Sequence, residues 1–236
     1  SASHPGTGVA WNDLSGRGLI AYETATVSNL YGVSSRTCTA PTFSKEVNGS
    51  LSFNSASQNC AYIAGLGVFN TYTAEAWIKP VGNQTSGASI FANPWNSDTK
   101  INIALQFTGA NTISAGIYNS GTNWYYSGNA TISLETWTLV TTTYDGATLK
   151  LYINGVLANQ VNIATTFTGD ASIRDGIFIG RRWDSDNYYN GSIATARIYN
   201  RALSVTEIQQ NYNATKDRFT GLLNENAIAK KYASKF

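Results

Sequence analysis

The sequence predicts an all-β chain: two antiparallel sheets packed as a jelly-roll sandwich, with a short helix near 204–214 and a C-terminal helical arm. Three observations carry this. Charged residues make up only 13% of the chain and aromatic residues 12%, with 21 glycines and four prolines, as many short strands joined by polar turns require. Strand signals recur at short, turn-separated intervals through most of the length. Residues 176–213, GIFIGRRWDSDNYYNGSIATARIYNRALSVTEIQQNYN, run as a short β segment, a polar aromatic loop, a second strand and a capped helix start. That order closes a two-sheet sandwich.

Taken in chain order, 51–53 and 61–63 are short apolar pieces. Residues 72–79 (YTAEAWIK) read as a mostly buried strand ended by Pro80. Residues 101–107 alternate, so Ile101, Ile103, Leu105 and Phe107 share one face. Strands over 112–118 and 123–127 follow. Residues 137–163 hold three antiparallel strands, because Asp145-Gly146 and Asn154-Gly155 are two-residue signals for tight hairpins. In the first of these strands Trp137, Leu139, Thr141 and Thr143 point one way, and Thr138, Val140, Thr142 and Tyr144 the other. Strands at 176–180 and 191–200 precede the helix. Ser204 followed by Glu207 is a capping-box pattern, and Ile208 with Tyr212 supplies an apolar face. Ile228, Tyr232 and Phe236 lie four apart and predict a second helix. At 236 residues the chain can bury a full core by itself. The expected division is a sandwich over 1–215 and an arm over 216–236, with 215–223 as a hinge.

The balance of charge excludes some functions. A formal net charge of +2 is too small to serve as an electrostatic footprint for nucleic acid. No apolar run approaches the ~20 residues that span a bilayer, so no membrane insertion is expected. The opening SASHPGTG lacks a basic-then-apolar signal pattern. Together with the missing methionine, it leads us to expect a trimmed start or a cut precursor, made in the cytosol without export. A bond between Cys38 and Cys60 would close a loop of about 23 residues, worth roughly 3 kcal/mol in the chain-entropy model. Two cysteines in a chain with a large core are no disulfide scaffold, so two reduced thiols are the expected state and the bond the alternative.

The stretches WNDLSGRG (11–18), YTAEAWIKP (72–80), WTLVTTTYDGATLKLYINGVL (137–157), IFIGRR and YYNGSIATARIYNRALSVTEIQQNY (177–212) together resemble laminin-G-like modules of the concanavalin A-like lectin/glucanase superfamily. The resemblance covers about 11–215. The ending EIQQNYNATKDRF (207–219) is similar to the form of this module found in virion proteins of tailed phages. That implies a virion surface protein, a capsid decoration or fibre, assembled in the host cytoplasm. The alternative is a carbohydrate-binding adhesion module of a bacterial or extracellular protein. One departure stands out: where many relatives carry an acidic pair after the Gly-x-Ile of the closing strand, this chain has Ala194 and Thr195.

The resemblance also frames the candidate sites. Laminarinase-type members use a Glu-x-Asp-x-x-Glu strand, and glycoside hydrolysis needs two carboxyls at fixed separation. None of Glu23, Glu46, Glu75, Glu135, Glu207 and Glu225 has a second acid two or four residues away on a strand, and the one histidine is His4. We therefore expect no enzyme. Sugar sites in such sandwiches combine an aromatic platform with polar rim loops. Trp124 and Tyr126 share one face of a strand, with Tyr125 on the other. Arg182, Trp183, Asp184 and Asp186 form a polar loop, and Trp95 marks a further candidate. For each aromatic taken singly, packing into the sandwich is the expected state and ligand contact the alternative; contact with a partner is expected of the loops taken together. Members of the superfamily sometimes hold one calcium at a rim; Asp184 and Asp186, with Asp13, are the candidate ligands. No other cofactor is expected. Leu222, Leu223, Ile228, Tyr232 and Phe236 are apolar enough to dock the arm on other virion proteins.

Overall fold

The computed structural model describes residues 10–12, 20–22, 26–27, 36–63, 66–93, 102–119, 123–163, 172–173, 176–182 and 187–220. Two antiparallel sheets form the sandwich. The first runs Ala10–Asn12, Ile20–Tyr22, Ala61–Ile63, Ile177–Ile179, Ser89–Ala92, Asn102–Phe107, Thr112–Asn119 and Asn123–Tyr126, with Ala130–Thr131 also paired to Thr112–Asn119. The second runs Val156–Asn162, Thr148–Ile153, Thr138–Tyr144, Tyr72–Pro80, Gly191–Tyr199, Ser50–Phe53 and Thr42–Ser44. Non-consecutive strands lie side by side in both sheets, as a jelly roll requires.

Period-two alternation places the core. Tyr72, Ala74, Ala76 and Ile78 of the central strand join Val140, Leu149 and Leu151 of its sheet. These pack on Ile103, Leu105, Phe107, Ile113, Ile117 and Ile177 of the other sheet. The expected strands are all present, with ends shifted by a residue or two. Ser89–Ala92 was not anticipated. All four of its residues are buried, so it has no polar alternation to betray it.

The alternate residues of the seven-stranded sheet lie under the helix. Trp77 and Leu139 form a second cluster with Phe219. The helix spans Val205–Phe219, five residues past its expected end, and so takes in residues 215–219 of the expected hinge. Its length follows from what it covers. Trp77 Nε1 donates to Thr215 Oγ1 at 2.9 Å, and the Phe219 ring stacks on Trp77 at 4.1 Å. Helical residues persist while a sheet lies beneath to bury them. Ser204 and Glu207 complete the capping box.

Cys38 and Cys60 are joined by a disulfide, with their Cα atoms 5.0 Å apart. This corrects the expectation of reduced thiols. The turn after Phe53 folds back so that Asn59 Nδ2 donates to the carbonyls of Thr39 and Ala40, at 3.2 and 2.8 Å. That pins the two segments side by side, an approach that sequence separation cannot reveal. The bond sits in a buried cluster with Tyr62, Phe178 and Tyr188. No helix among the described residues is long and apolar enough to cross a membrane.

Candidate functional site

The best-formed candidate lies at the end of the nine-stranded sheet. Asn123–Tyr126 is its terminal strand, paired to Thr112–Asn119 in the register Gly116↔Tyr126, Ile117↔Tyr125 and Tyr118↔Trp124. Ile117 and Tyr125 turn into the core. Tyr118, Trp124 and Tyr126 therefore share the opposite face with Gly116. The Trp124 and Tyr126 rings lie 5.8 Å apart and 16° from parallel. Tyr118 meets Trp124 at 5.5 Å, tilted by 49°.

Gly116 makes this arrangement fit. A Cβ there would stand 3.0 Å from Tyr126 Cε1 and 3.3 Å from Trp124 Cζ3, so both rings rest over bare backbone. Tyr126 is 41% exposed, and Tyr118 and Trp124 are half-buried. Three rings on one strand pair, open to water on one side, can stack against the apolar face of a ligand. Toward the Thr112 end of the same strand, Asn159 Nδ2 donates to Asn129 O at 2.7 Å, and Thr108 Oγ1 donates to Asn129 Oδ1 at 3.0 Å.

The structure thus joins Trp124 and Tyr126, as their spacing implied, and adds Tyr118. The signal for Tyr118 was the pairing of two adjacent strands, which puts residues 118 and 124 opposite each other. Arg182 is placed elsewhere. It is half-buried, its N–H donates to Asn187 O at 3.0 Å, and its Nη1 approaches Gly87. Gly87 lies beside Phe107, to whose carbonyl its N–H donates at 2.7 Å. The rings lie toward the other end of that strand, where Ala104 pairs with Gly116 and Asn102 with Tyr118. Trp95, Trp183, Asp184, Asp186 and Asp13 fall outside the described residues, as do Leu222, Leu223, Ile228, Tyr232 and Phe236. Among the described residues no group of three or more His, Cys, Asp or Glu side chains is placed to hold a metal ion.

The other aromatics of the closing segment pack. Tyr189 is fully buried, its ring 6.1 Å from Phe107. Arg181, fully buried as well, lies over the Phe178 and Tyr188 rings at 5.0 and 5.2 Å.

The carboxylates serve structure. Glu75 is fully buried and pairs with Arg197 Nη1 at 2.7 Å. It also accepts from Asn211 Nδ2 at 3.2 and 3.3 Å, which ties the central strand to its neighbour and to the helix. Glu46 takes Lys79 Nζ at 2.8 Å and Trp137 Nε1 at 3.2 Å; the Lys79 hydrogen bond holds its carboxyl below the ordinary value against burial. Asp145 caps the hairpin turn by accepting from the N–H groups of Ala147 and Thr148. Burial raises its pKa, but those bonds and Lys150 outweigh it and hold the group low. Glu207 is drawn down to about 2 by Arg201 and the cap. These three carboxyls are held in the opposite sense from a proton-bearing general acid.

Comparison with known proteins agrees with this architecture. The chain is similar to domain 4 of the GH43 extracellular arabinanase of Geobacillus stearothermophilus, seen in complex with arabinotriose. The TM-score is 0.60 at 22% identity, covering 80% of this chain and 85% of that one. It is similar to the botulinum neurotoxin serotype G binding domain, with TM-score 0.62, 17% identity and coverage of 85% and 47%. It is also similar to the binding domain of botulinum neurotoxin DC in complex with SialylT, with TM-score 0.58, 15% identity and coverage of 86% and 48%. The chain spans about half the length of both toxin chains. At these identities the likeness is one of fold. No curated protein matches the chain by sequence. Residues 48–209 match the concanavalin A-like lectin/glucanases superfamily, and with both sheets of the sandwich and its closing helix in place, the chain belongs to that superfamily.

Proposed function

We propose that this chain is a non-enzymatic carbohydrate-binding module that takes its ligand on the Tyr118–Trp124–Tyr126 face. The observation that carries the reading is the near-parallel Trp124 and Tyr126 pair over Gly116, open to solvent on a terminal strand. Stacked rings suit the C–H face of a sugar, and they need no charge or metal to act. The arabinotriose and SialylT complexes of two neighbours support a sugar ligand. The Cys38–Cys60 bond supports display outside a reducing cytoplasm.

The test is binding of the purified chain to an array of bacterial and algal polysaccharides, with calcium and with chelator. Calcium-independent binding, weakened roughly tenfold by Trp124→Ala, is the expected result. Calcium-dependent binding lost in Trp183→Ala or Asp184→Ala would move the site to the 182–187 loop and make Asp184 and Asp186 calcium ligands.

A second reading places the module on the virion surface of a tailed phage, as a capsid decoration or fibre. The sandwich would face outward and Leu222, Leu223, Ile228, Tyr232 and Phe236 would dock on other virion proteins. The resemblance of 207–219 to phage virion modules favours it. The same segment forms most of the helix seated on Trp77, so packing accounts for part of its wording. A chain cut after Gly221 should then fold as a sandwich that no longer attaches to the particle; a cut chain that still attaches would remove the arm's role.

A further inference from the structure

The surroundings of the ring platform narrow its ligand, given that the platform is a sugar site. Residues 101–134 contain no Asp, Glu, Lys, Arg or His. They supply Asn102–Phe107, Thr112–Asn119, Asn123–Tyr126 and Ala130–Thr131, the strands that build and flank the platform. Residues 151–169 carry no such side chain either. They supply the Val156–Asn162 strand, whose Asn159 reaches across to Asn129 O. What these segments offer instead is amide and hydroxyl: Asn129 and Asn159, with Thr108 and Thr112 hydrogen-bonded beside them.

Charge gathers elsewhere. The described ion pairs, Lys79 with Glu46, Lys150 with Asp145, Arg197 with Glu75 and Arg201 with Glu207, lie on the seven-stranded sheet, its flanking turns and its helix.

We infer that the platform recognises a neutral polysaccharide and discriminates against chains bearing carboxylate or sulfate. A sugar carboxylate brought to this face must shed water, and among the described residues of the flanking strands no cation or guanidinium fork replaces that hydration. The faces of Trp124 and Tyr126 carry the negative side of the ring quadrupole, which repels an anion further. A neutral ring carries no charge to strip of water: its C–H face meets the rings and its outward hydroxyls keep theirs. Because no charge pairs form, binding should also be indifferent to salt.

The experiment uses the full chain against neutral β-glucan, galactan and mannan. Each is paired with the same polymer after its primary hydroxyls are oxidised to carboxylates, and binding is measured by calorimetry between about 20 and about 500 mM NaCl. We expect a neutral member to bind with affinity constant within about twofold across that range, and its oxidised partner to bind roughly tenfold more weakly. Trp124→Ala and Tyr126→Ala should each weaken the neutral polymer, with the far-ultraviolet circular dichroism of both variants unchanged. Platform-dependent binding that favours the oxidised form, or that falls steeply with salt, would overturn the neutral preference and leave the sugar site standing. Binding of no polymer, or binding untouched by both ring substitutions, would overturn the sugar site and this inference together.

Discussion

At the scale of single residues, small groups decide what large ones can do. Gly116 lets two rings lie over its backbone. Adding one methyl, in Gly116→Ala, brings a Cβ within 3.0 Å of Tyr126 and 3.3 Å of Trp124. Both rings must give by a few tenths of an ångström, so sugar binding should fall while the thermal midpoint barely moves. Gly191 is stricter. Its φ is +144°, and a Cβ would stand 2.3 Å from the backbone oxygen of Lys79. Gly191→Ala should lower stability by about 3 kcal/mol or more, read from the urea midpoint. Glu75 is asymmetric: its carboxylate is fully buried, whereas its partner Arg197 is 35% exposed. Arg197→Ala strands the carboxylate with Asn211 and should cost about 3 kcal/mol by the same measurement. Glu207 supplies a pH signal. Its carboxyl is depressed from 4.5 to about 2, so its contribution is whole above about pH 4.5 and is lost as pH falls through about 2. Amide exchange at Val205–Ile208 should quicken across that window if the cap acts as described.

At the scale of elements, the helix shows how a local start meets a tertiary stop. Ser204 and Glu207 made its first turn legible, because a capping box is a contact within four residues. Its end was not legible, because Thr215 and Phe219 are held by Trp77, more than a hundred residues earlier in the chain. Phe219→Ala should therefore cost about 3 kcal/mol, as removal of a buried ring does. Ser204→Ala should cost about 1 kcal/mol. Thermal unfolding followed by tryptophan fluorescence separates the two, since only the first changes the environment of Trp77. The Val156–Asn162 strand is the uncharged free edge of its sheet. Its pairing slips between Leu151 and Tyr152, which leaves Ala158 without a partner. Such a bulge twists an edge away from further pairing and does the work that lysine or proline does in other edge strands.

At the scale of the whole molecule, the sandwich separates its faces by chemistry. The seven-stranded sheet carries the described ion pairs and the helix, and the end of the nine-stranded sheet carries the rings. The Cys38–Cys60 bond ties the segment before Thr42–Ser44 to the Ala61–Ile63 strand across 22 residues. Cys60→Ser should lower stability by about 3 kcal/mol in the chain-entropy model. The fold should remain, because the main core does not include either sulfur. Thermal scans with and without reductant check this: reductant should lower the midpoint of the parent chain and leave that of Cys60→Ser unmoved.

The sequence by itself determined the fold class, nearly every long strand, which residues of a strand share a face, and the hairpins at Asp145-Gly146 and Asn154-Gly155. It also determined the shared face of Trp124 and Tyr126. All of these are written in spacings of two to four residues, where backbone geometry alone decides. Only the tertiary structure decided that Tyr118 completes the rings, that Arg182 stands toward the other end of the sheet, that the helix runs to Phe219, and that two cysteines 22 residues apart are bonded. Each of these depends on strand register or on packing between distant segments, and register is set by the whole sheet rather than by any window of the chain.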